Sequence, residues 1–245
     1  MSAQAYFDAV EAGLKQLHDT QLAAIEHAAG ILVEAIVSDH KLFAFGASHS
    51  FMLPMEMIYR TGGLMLVNPV YPHGMDLSVR PLTLTSQIER VEGYGRQLLE
   101  ATPAGAGDVL LIASASGRNP IVLDMALAAR DRGMTVIGLV AVAYASNSTS
   151  RHSSGKLLPE LCDLVIDQCA PYGDAAVAIA GFPQKTGPLS SVLGCTIVNA
   201  LTCEVVARLV ARGETPPVFV SANLPGGDEQ NAQLLARNRE RIFYL

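Results

Sequence analysis

Short apolar runs alternate with segments of helical periodicity along most of this chain. Five runs have the length and continuous apolar character of buried strands: 41–45, 64–67, 109–113, 135–140 and 164–166. Four segments between and after them repeat apolar residues at helical spacing: 51–60, 84–101, 120–132 and 190–212. Strands that alternate with helices build a parallel sheet covered by helices on both faces. The pattern therefore predicts a three-layer α/β sandwich.

Further elements extend this alternation at both ends. Apolar residues at helical spacing predict one or two helices over 4–38, and 177–180 is a candidate short strand. An extended piece at Val218–Val220 precedes a glycine turn and a helix over about 228–241. We expect a single domain that spans residues 1–245. Its N-terminal helices cover 1–38, its core covers about 35–210, and its C-terminal tail covers 216–245.

The composition favours a cytoplasmic oligomer. Half of the 245 residues are hydrophobic and only 16% are charged, which favours a homodimer or homotetramer that hides part of its surface. The formal charge of −6 and the lack of a basic cluster argue against a nucleic-acid binder. No continuous apolar run reaches the ~18 residues of a membrane span, and the N-terminus has no signal-peptide pattern. Four cysteines without a Cys-x-x-Cys pair are expected to be free thiols: Cys162, Cys169, Cys195 and Cys203.

Small polar residues follow the third apolar run. The segment DVLLIASASGRNP places Ser114, Ser116, Gly117 and Asn119 between a predicted strand and a predicted helix that begins near Pro120. Such a turn leaves backbone N–H groups unpaired, with the positive end of the helix dipole behind them. It can hold a phosphate or a carboxylate. The alternative is an ordinary loop in which serine and asparagine only cap the helix.

A second loop of the same kind follows the first apolar run, where Ser48, His49 and Ser50 come after KLFAFGA. In an open parallel sheet, ligands bind beyond the carboxyl ends of the strands, so the two loops are expected to meet over one site. Neither loop matches a P-loop or a dinucleotide fingerprint, which argues against an NAD-type dehydrogenase. Hydroxyl groups in place of a lysine suggest that neutral donors hold a phosphate, as on a phosphorylated sugar.

Three stretches in order along the chain resemble the SIS (sugar isomerase) domain family. FAFGASHS is similar to its first strand and turn, and SASGRN is similar to its phosphate loop. Ser190-Ser191, at the start of the last long helix, resembles a third hydroxyl-bearing turn. The resemblance implies a five-stranded parallel sheet of flavodoxin-like order that binds phosphosugars, with no cofactor and no metal. It makes Ser114, Ser116 and Asn119 the phosphate ligands, with Ser48 at the position of the family's first-turn serine.

Isomerisation of a sugar needs a base to remove a proton next to a carbonyl and an acid to polarise that carbonyl. Glu56 lies on the helix after the first loop, two residues before the position at which some SIS isomerases carry a glutamate. His73 lies in YPHGMD, which resembles a His-Gly-Asp stretch of arabinose-5-phosphate isomerases, and His152 lies in a long polar connection. These three are the predicted catalytic residues, although Glu56 could equally be a surface or interface carboxylate. Asn223 and Asn231 in the tail are candidates for a lid.

The resemblance leaves three functions open. The first is an aldose–ketose isomerase that acts on a sugar phosphate through an enediol. The second is a lyase, etherase or deaminase that acts on an amino-sugar phosphate in the same site. The third is a non-catalytic phosphosugar sensor that acts through a protein partner. A DNA-binding sensor is disfavoured, because fewer than 40 residues precede the first predicted strand and they are not basic.

Overall fold

A computed structural model describes residues 2–245 and contains a five-stranded parallel sheet. Its strands lie in the order β2-β1-β3-β4-β5, which is the flavodoxin-like order. Their bounds are β1 Leu42–Gly46, β2 Val67–Pro69, β3 Val109–Ser114, β4 Thr135–Val140 and β5 Leu164–Asp167. The predicted fold class is therefore confirmed.

Helices cover both faces of the sheet. They are α1 Ser2–Val37, α2 Met52–Met57, α3 Leu84–Ile88, α4 Tyr94–Glu100, α5 Pro120–Asp131, α6 Val142–Ala145, α7 Ser190–Ala211 and α8 Gly227–Arg237. Single 3-10 turns lie at Ser48–Phe51, Leu158–Leu161 and Arg239–Arg241. Helices α1, α2 and α7 pack on one face of the sheet, and α4 and α5 pack on the other. This arrangement gives three layers.

The strands are apolar throughout because both of their faces are buried. In β1, Leu42 and Ala44 point into the core under α1 and α7, whereas Phe43 and Phe45 point into the core under α4 and α5. Successive side chains of a strand point to opposite faces, so a run without polar residues is expected of a sheet between two helical layers.

Three predicted elements differ in extent from those observed. The helix predicted over 84–101 is two helices, because Gly93 adopts a left-handed conformation (φ 85°) and its N–H donates to the carboxylate of Asp124. The helix predicted over 51–60 ends at Met57, since Ile58 is extended. The strand predicted over 64–67 is displaced to β2, because Leu64 forms an isolated antiparallel bridge with Val218.

The pattern missed a hairpin before α7. Strand β6 (Ala175–Ala178) pairs antiparallel with β7 (Lys185–Pro188) and stands in place of the strand predicted over 177–180. The sequence KTGP of β7 is mostly exposed and has no apolar alternation, so periodicity gave no signal for it. The N-terminal segment is one continuous helix, and the C-terminal helix ends earlier than predicted, at Arg237.

Helices α1 and α7 are long and apolar enough, by length and composition, to cross a membrane. Polar residues interrupt both helices, so neither is a continuous apolar run of the kind sought in the sequence. Both helices place apolar side chains in the core between them and the sheet, and Leu17, Leu32, Leu193 and Val205 are buried there. Their hydrophobicity is consistent with this packing, because core helices of globular proteins also pass such a test.

Candidate functional site

A cleft of about 290 Å³ lies beyond the carboxyl ends of β1 and β3. Both serine loops line it, together with a glutamate of the α3–α4 region and a turn before β6. The lining residues are Ala47, Ser48, His49, Ser50, Glu89, Ala113, Ser114, Ala115, Ser116, Asn119, Val122, Tyr144, Gly173 and Asp174. The prediction that the two loops meet over one cleft therefore agrees with the structure.

A larger depression of about 510 Å³ lies at the opposite edge of the sheet, where its lining includes Val109 and Thr135, the first residues of β3 and β4. In doubly wound sheets, ligands bind at the carboxyl ends of the strands, where the connections diverge. We therefore take the smaller cleft as the candidate functional site.

The second loop, residues 114–119, presents backbone N–H groups to the cleft. Gly117 is left-handed (φ 59°), and its N–H donates to Ser114 Oγ over 3.1 Å, which closes the turn. Within residues 2–245, no acceptor pairs with the N–H groups of four loop residues: Ala115, Ser116, Arg118 and Asn119. Helix α5 begins directly after them with Pro120, so the positive end of its dipole lies behind the loop. Free amides in this arrangement form an anion-binding site.

The first loop, residues 46–51, has two amides paired with backbone carbonyls, and Ser48, His49 and Ser50 line the cleft. The N–H of Ser48 donates to the carbonyl of Met75 over 2.9 Å, and that of Ser50 donates to the carbonyl of Ala47 over 3.0 Å. Ser48 is left-handed (φ 54°), which is an unusual conformation for serine and is concentrated at functional sites. His49 is exposed at the cleft, and Ser48 and Ser50 are half-buried.

Asn119 and Glu89 form one polar chain at the wall of the cleft. Asn119 Nδ2 donates to Glu89 Oε2 over 2.7 Å, and Arg151 Nη1 donates to Asn119 Oδ1 over 2.9 Å. The carbonyl of Glu89 also accepts from the N–H of Ile121 in the first turn of α5. Burial raises the pKa of Glu89 above its ordinary value, and the hydrogen bond from Asn119 opposes this effect. The cleft thus contains a half-buried carboxylate with an elevated proton affinity.

The third hydroxyl-bearing turn is organised by Asp174. Its Oδ1 accepts from the N–H groups of Leu189 and Ser190, and its Oδ2 accepts from Ser190 Oγ over 2.7 Å. Asp174 therefore caps α7 while its left-handed backbone (φ 69°) lines the cleft. The hydroxyl of Ser190 is engaged with Asp174, and that of Ser191 lies 3.9 Å from Met52 Sδ. The structure places both serines beside the cleft lining rather than in it.

The three predicted catalytic residues lie outside the cleft. Glu56 forms an ion pair with Arg60 and accepts a hydrogen bond from Asn199 of α7 over 2.8 Å. His73 is exposed on the loop after β2, and its carbonyl accepts from the hydroxyl of Tyr94. Their catalytic roles stay predictions, and within this single chain neither side chain lines the cleft.

His152 is buried in a structural pair. It lies in residues 146–156, a connection after α6 that we call the strap. Its Nδ1 accepts from the N–H of Ser154 over 3.0 Å, so Nε2 carries the proton that is donated to Asp124 Oδ1 over 3.2 Å. Both side chains are more than nine-tenths buried. His152 therefore fastens the strap to α5 in this structure, and its catalytic role is a prediction.

The two lid candidates belong to the C-terminal tail at another side of α2. Asn231 is half-buried, and its amide side chain both accepts from and donates to the backbone of Val220. Asn223 is exposed in the turn before α8. Neither residue lines the cleft. In this structure Asn231 links two parts of the tail to each other and does not close over the cleft.

Sequence reasoning did not single out Glu89 or Tyr144. Glu89 sits in the charged stretch IERVEG, which has no motif that separates it from a surface glutamate. Only the break after α3 and the contact with Asn119 bring it to the cleft. Among residues 2–245 there is no group of three or more His, Cys, Asp or Glu side chains arranged to hold a metal ion. The cleft offers neutral anion donors and the carboxylate of Glu89, whereas the carboxylate of Asp174 is bound to the start of α7.

A parallel sheet of this order, with binding loops at its carboxyl edge, defines a doubly wound α/β binding domain. The sequence profile of the SIS domain matches residues 5–141. The chain therefore belongs to the SIS domain family, which confirms the resemblance seen in its serine loops. The UPF0309 protein of Shouchella clausii is 44% identical over 240 residues, covering 98% of each chain. The UPF0309 protein of Streptomyces griseus is 41% identical and covers 98% of this chain and 96% of the relative.

Two phosphoheptose isomerases share the fold. The structure from Francisella tularensis aligns with a TM-score of 0.56 at 17% identity, over 83% of this chain and 95% of that chain. The structure from Neisseria gonorrhoeae aligns with a TM-score of 0.56 at 18% identity, over 84% of this chain and 97% of that chain. At such identities the likeness establishes the common architecture.

Proposed function

We propose that the cleft binds the phosphate of a phosphorylated sugar. The observation that carries this proposal is the row of four unpaired amides in the second loop, with the hydroxyl of Ser116 beside them. Neutral N–H and O–H donors at a helix N-terminus match the charge and geometry of a phosphate monoester. Kinship with the SIS domain and the fold shared with phosphoheptose isomerases favour the same class of ligand.

We further propose that the bound sugar undergoes aldose–ketose isomerisation, with Glu89 as the base. Glu89 Oε2 accepts from Asn119, which leaves Oε1 available to take the proton from the carbon next to the sugar carbonyl. The C–H electron pair then forms the C=C bond of an enediol, and the carbonyl oxygen takes a proton from water. Glu89 then returns its proton to the former carbonyl carbon, while the hydroxyl on the neighbouring carbon gives its proton to water and becomes the new carbonyl. A raised pKa suits a carboxylate that must both take and give back a proton near neutral pH.

A binding experiment tests the first step. Titration calorimetry with aldose and ketose monophosphates and the matching free sugars should give binding only to phosphorylated members. Ser116→Ala should weaken that binding by about tenfold, in line with a lost hydrogen bond to a charged group. Ser146→Ala removes an exposed hydroxyl that does not line the cleft and serves as the matched control. Equal binding of sugars with and without phosphate would contradict the proposal.

Proton exchange tests the second step. Incubation of the bound sugar phosphate in D₂O should incorporate deuterium at the carbon next to the carbonyl, as followed by NMR. Glu89→Gln should slow this exchange by about 100-fold or more while the dissociation constant changes little. Glu214→Gln removes an exposed carboxylate after α7 and is the control. If Glu56→Gln stops exchange and Glu89→Gln does not, the base is Glu56 instead.

A further inference from the structure

Three arginines gather beside the wall of the cleft that Asn119 and Glu89 form. Arg118 belongs to the second serine loop, Arg151 to the strap, and Arg90 directly follows Glu89. We call them the arginine cluster. Arg151 donates to Asn119, which lines the cleft, so its guanidinium lies one side chain away from a ligand in the site.

The arginine cluster forms no salt bridge among the described residues, and Glu89 is the carboxylate whose charge acts on Arg90 and Arg151. Within residues 2–245, no carboxylate oxygen lies within 4.0 Å of its guanidinium nitrogens. Six of the ten other arginines do pair with carboxylates: Arg60, Arg96, Arg130, Arg208, Arg212 and Arg241. The contrast is pronounced because acidic residues outnumber basic ones, 23 to 17. Three guanidinium groups beside the single carboxylate of Glu89 leave a local excess of positive charge on an acidic protein.

Hydrogen bonding also leaves the cluster with spare donors. Arg118 Nη2 donates to Thr149 Oγ1 over 3.2 Å, and its buried Nε has no partner among the described residues. Arg151 uses Nη1 alone, on Asn119. Burial lowers the pKa of Arg151, and the neighbouring charges of Arg118 and Arg90 lower it further. An anion placed among these groups would relieve the repulsion and fill the open donors.

Phosphate binding by the second loop does not need these charges, because the loop offers amides and a hydroxyl. We propose that the phosphosugar bound here carries a second anionic group, a carboxylate or a second phosphate, that the arginine cluster binds. This inference rests on the proposed function and narrows its substrate class to doubly anionic sugars. The planar fork of arginine matches the paired oxygens of either group.

The inference is tested by measuring how tightly the full-length protein binds sugars that carry one or two anionic groups. Calorimetry would compare sugar monophosphates with phosphorylated aldonic acids and sugar bisphosphates of the same chain length, and with unphosphorylated aldonic acids. The doubly anionic ligands should bind at least about tenfold more tightly than the monophosphates. Comparison of the carboxylated with the bisphosphorylated ligands shows which second anion the cluster prefers.

Substitution of the cluster's arginines tests whether they cause the preference for doubly anionic ligands. Arg90→Gln should reduce the preference for the second anion severalfold while monophosphate binding stays within about twofold, and Arg151→Gln, which also removes a hydrogen bond to Asn119, should reduce that preference at least as much. Arg90 donates no side-chain hydrogen bond among residues 2–245, so its variant leaves the strap intact. Arg237→Gln, which removes an exposed arginine of α8, is the control.

The outcomes separate the two proposals. Equal affinity for singly and doubly anionic ligands would overturn the second anion and leave the phosphosugar site standing. Equal loss of both ligand classes in the arginine variants would assign the cluster to the first phosphate and likewise overturn the inference. If no phosphorylated ligand binds the wild-type protein, the proposed function fails and this inference fails with it.

Discussion

The two serine loops have similar sequences and different structures. Both follow a buried strand, both contain glycine and serine, and both precede a helix. In the first loop the amides of Ser48 and Ser50 are bound to backbone carbonyls. In the second loop the hydroxyl of Ser114 accepts from the N–H of Gly117, and the other four amides from Ala115 to Asn119 have no acceptor among residues 2–245. The capacity to bind an anion therefore depends on which donors the fold leaves unpaired, and not on the number of serines.

The helices that follow the two loops also favour anion binding at the second loop. Helix α5 has 12 residues and starts with proline, whereas α2 has six residues and follows a 3-10 turn. A longer run of aligned peptide dipoles places a larger partial positive charge at its start. The second loop is thus suited to hold the charged group, and the first is suited to contact neutral parts of the ligand through Ser48, His49 and Ser50.

The largest expected effect is the loss of stability when the glycine of each loop is replaced by alanine. A Cβ at Gly46 would lie 2.6 Å from the carbonyl carbon of Ser50 and 2.9 Å from the amide nitrogen of Phe51, so backbone must move. A Cβ at Gly117 would meet only side chains at 3.4 Å, and its cost is the left-handed backbone. We expect Gly46→Ala to lower the free energy of unfolding by about 3 kcal/mol and Gly117→Ala by about 1 kcal/mol. Urea denaturation measures both, and the reverse ranking would contradict the comparison.

The second prediction divides the roles of two serines within one loop. Ser116→Ala should weaken phosphosugar binding by about tenfold with little change in stability, because its hydroxyl has no protein partner within the described chain. Ser114→Ala should instead lower the free energy of unfolding by about 1 kcal/mol, since it leaves the N–H of Gly117 unpaired. Calorimetry and thermal melting distinguish the two. Loss of binding without loss of stability in Ser114→Ala would show that the hydroxyl also contacts the ligand.

The third prediction concerns the turn that the resemblance adds to the two loops. Asp174→Asn retains one acceptor oxygen but loses the charge that holds the N–H groups of Leu189 and Ser190. We expect a loss of about 1 kcal/mol in the free energy of unfolding, with phosphosugar affinity preserved. Denaturation and calorimetry on the same preparation check this. A large loss of affinity at unchanged stability would make this turn part of the ligand site.

The smallest expected effect is a pH dependence carried by Glu89, which is hydrogen-bonded to Asn119 of the second loop. The pKa of Glu89 is raised above its ordinary value of 4.5, so the folded protein holds this proton at pH values where the unfolded chain has lost it. Stability should therefore fall as pH rises from 4.5 through the folded pKa. Glu89→Gln should remove this part of the pH dependence. Melting temperatures of both proteins between pH 4 and 8 measure it, and parallel curves would show that Glu89 is not perturbed.

The sequence predicted the elements that local chemistry defines. Strand β3 and helix α5 lie within one residue of their predicted bounds, because a continuous apolar run ends at small polar residues and Pro120 starts the helix. The fold class followed from the alternation of strands and helices, and the serine loops followed from strand ends at one edge of the sheet. The helix predicted over 84–101 is instead interrupted between Ile88 and Tyr94, where Gly93 is left-handed.

Tertiary contacts decided the rest. Leu64 has the apolar character of a strand residue, yet its partner is Val218, which lies far away in the sequence. Glu89 looks like any surface glutamate until Asn119 and Ile121 hold it at the cleft. The arginine cluster joins three separate segments that only the folded strap brings together.

By itself, then, the sequence determined the sheet, its two helical layers and the edge at which the loops meet, since periodicity and turn residues act over a few neighbouring positions. Only the tertiary structure decided which amides stay unpaired, which carboxylate enters the cleft and where positive charge accumulates. Those properties depend on distances between residues remote in sequence, because hydrogen bonding, burial and charge act through space and carry no signature in the order of residues.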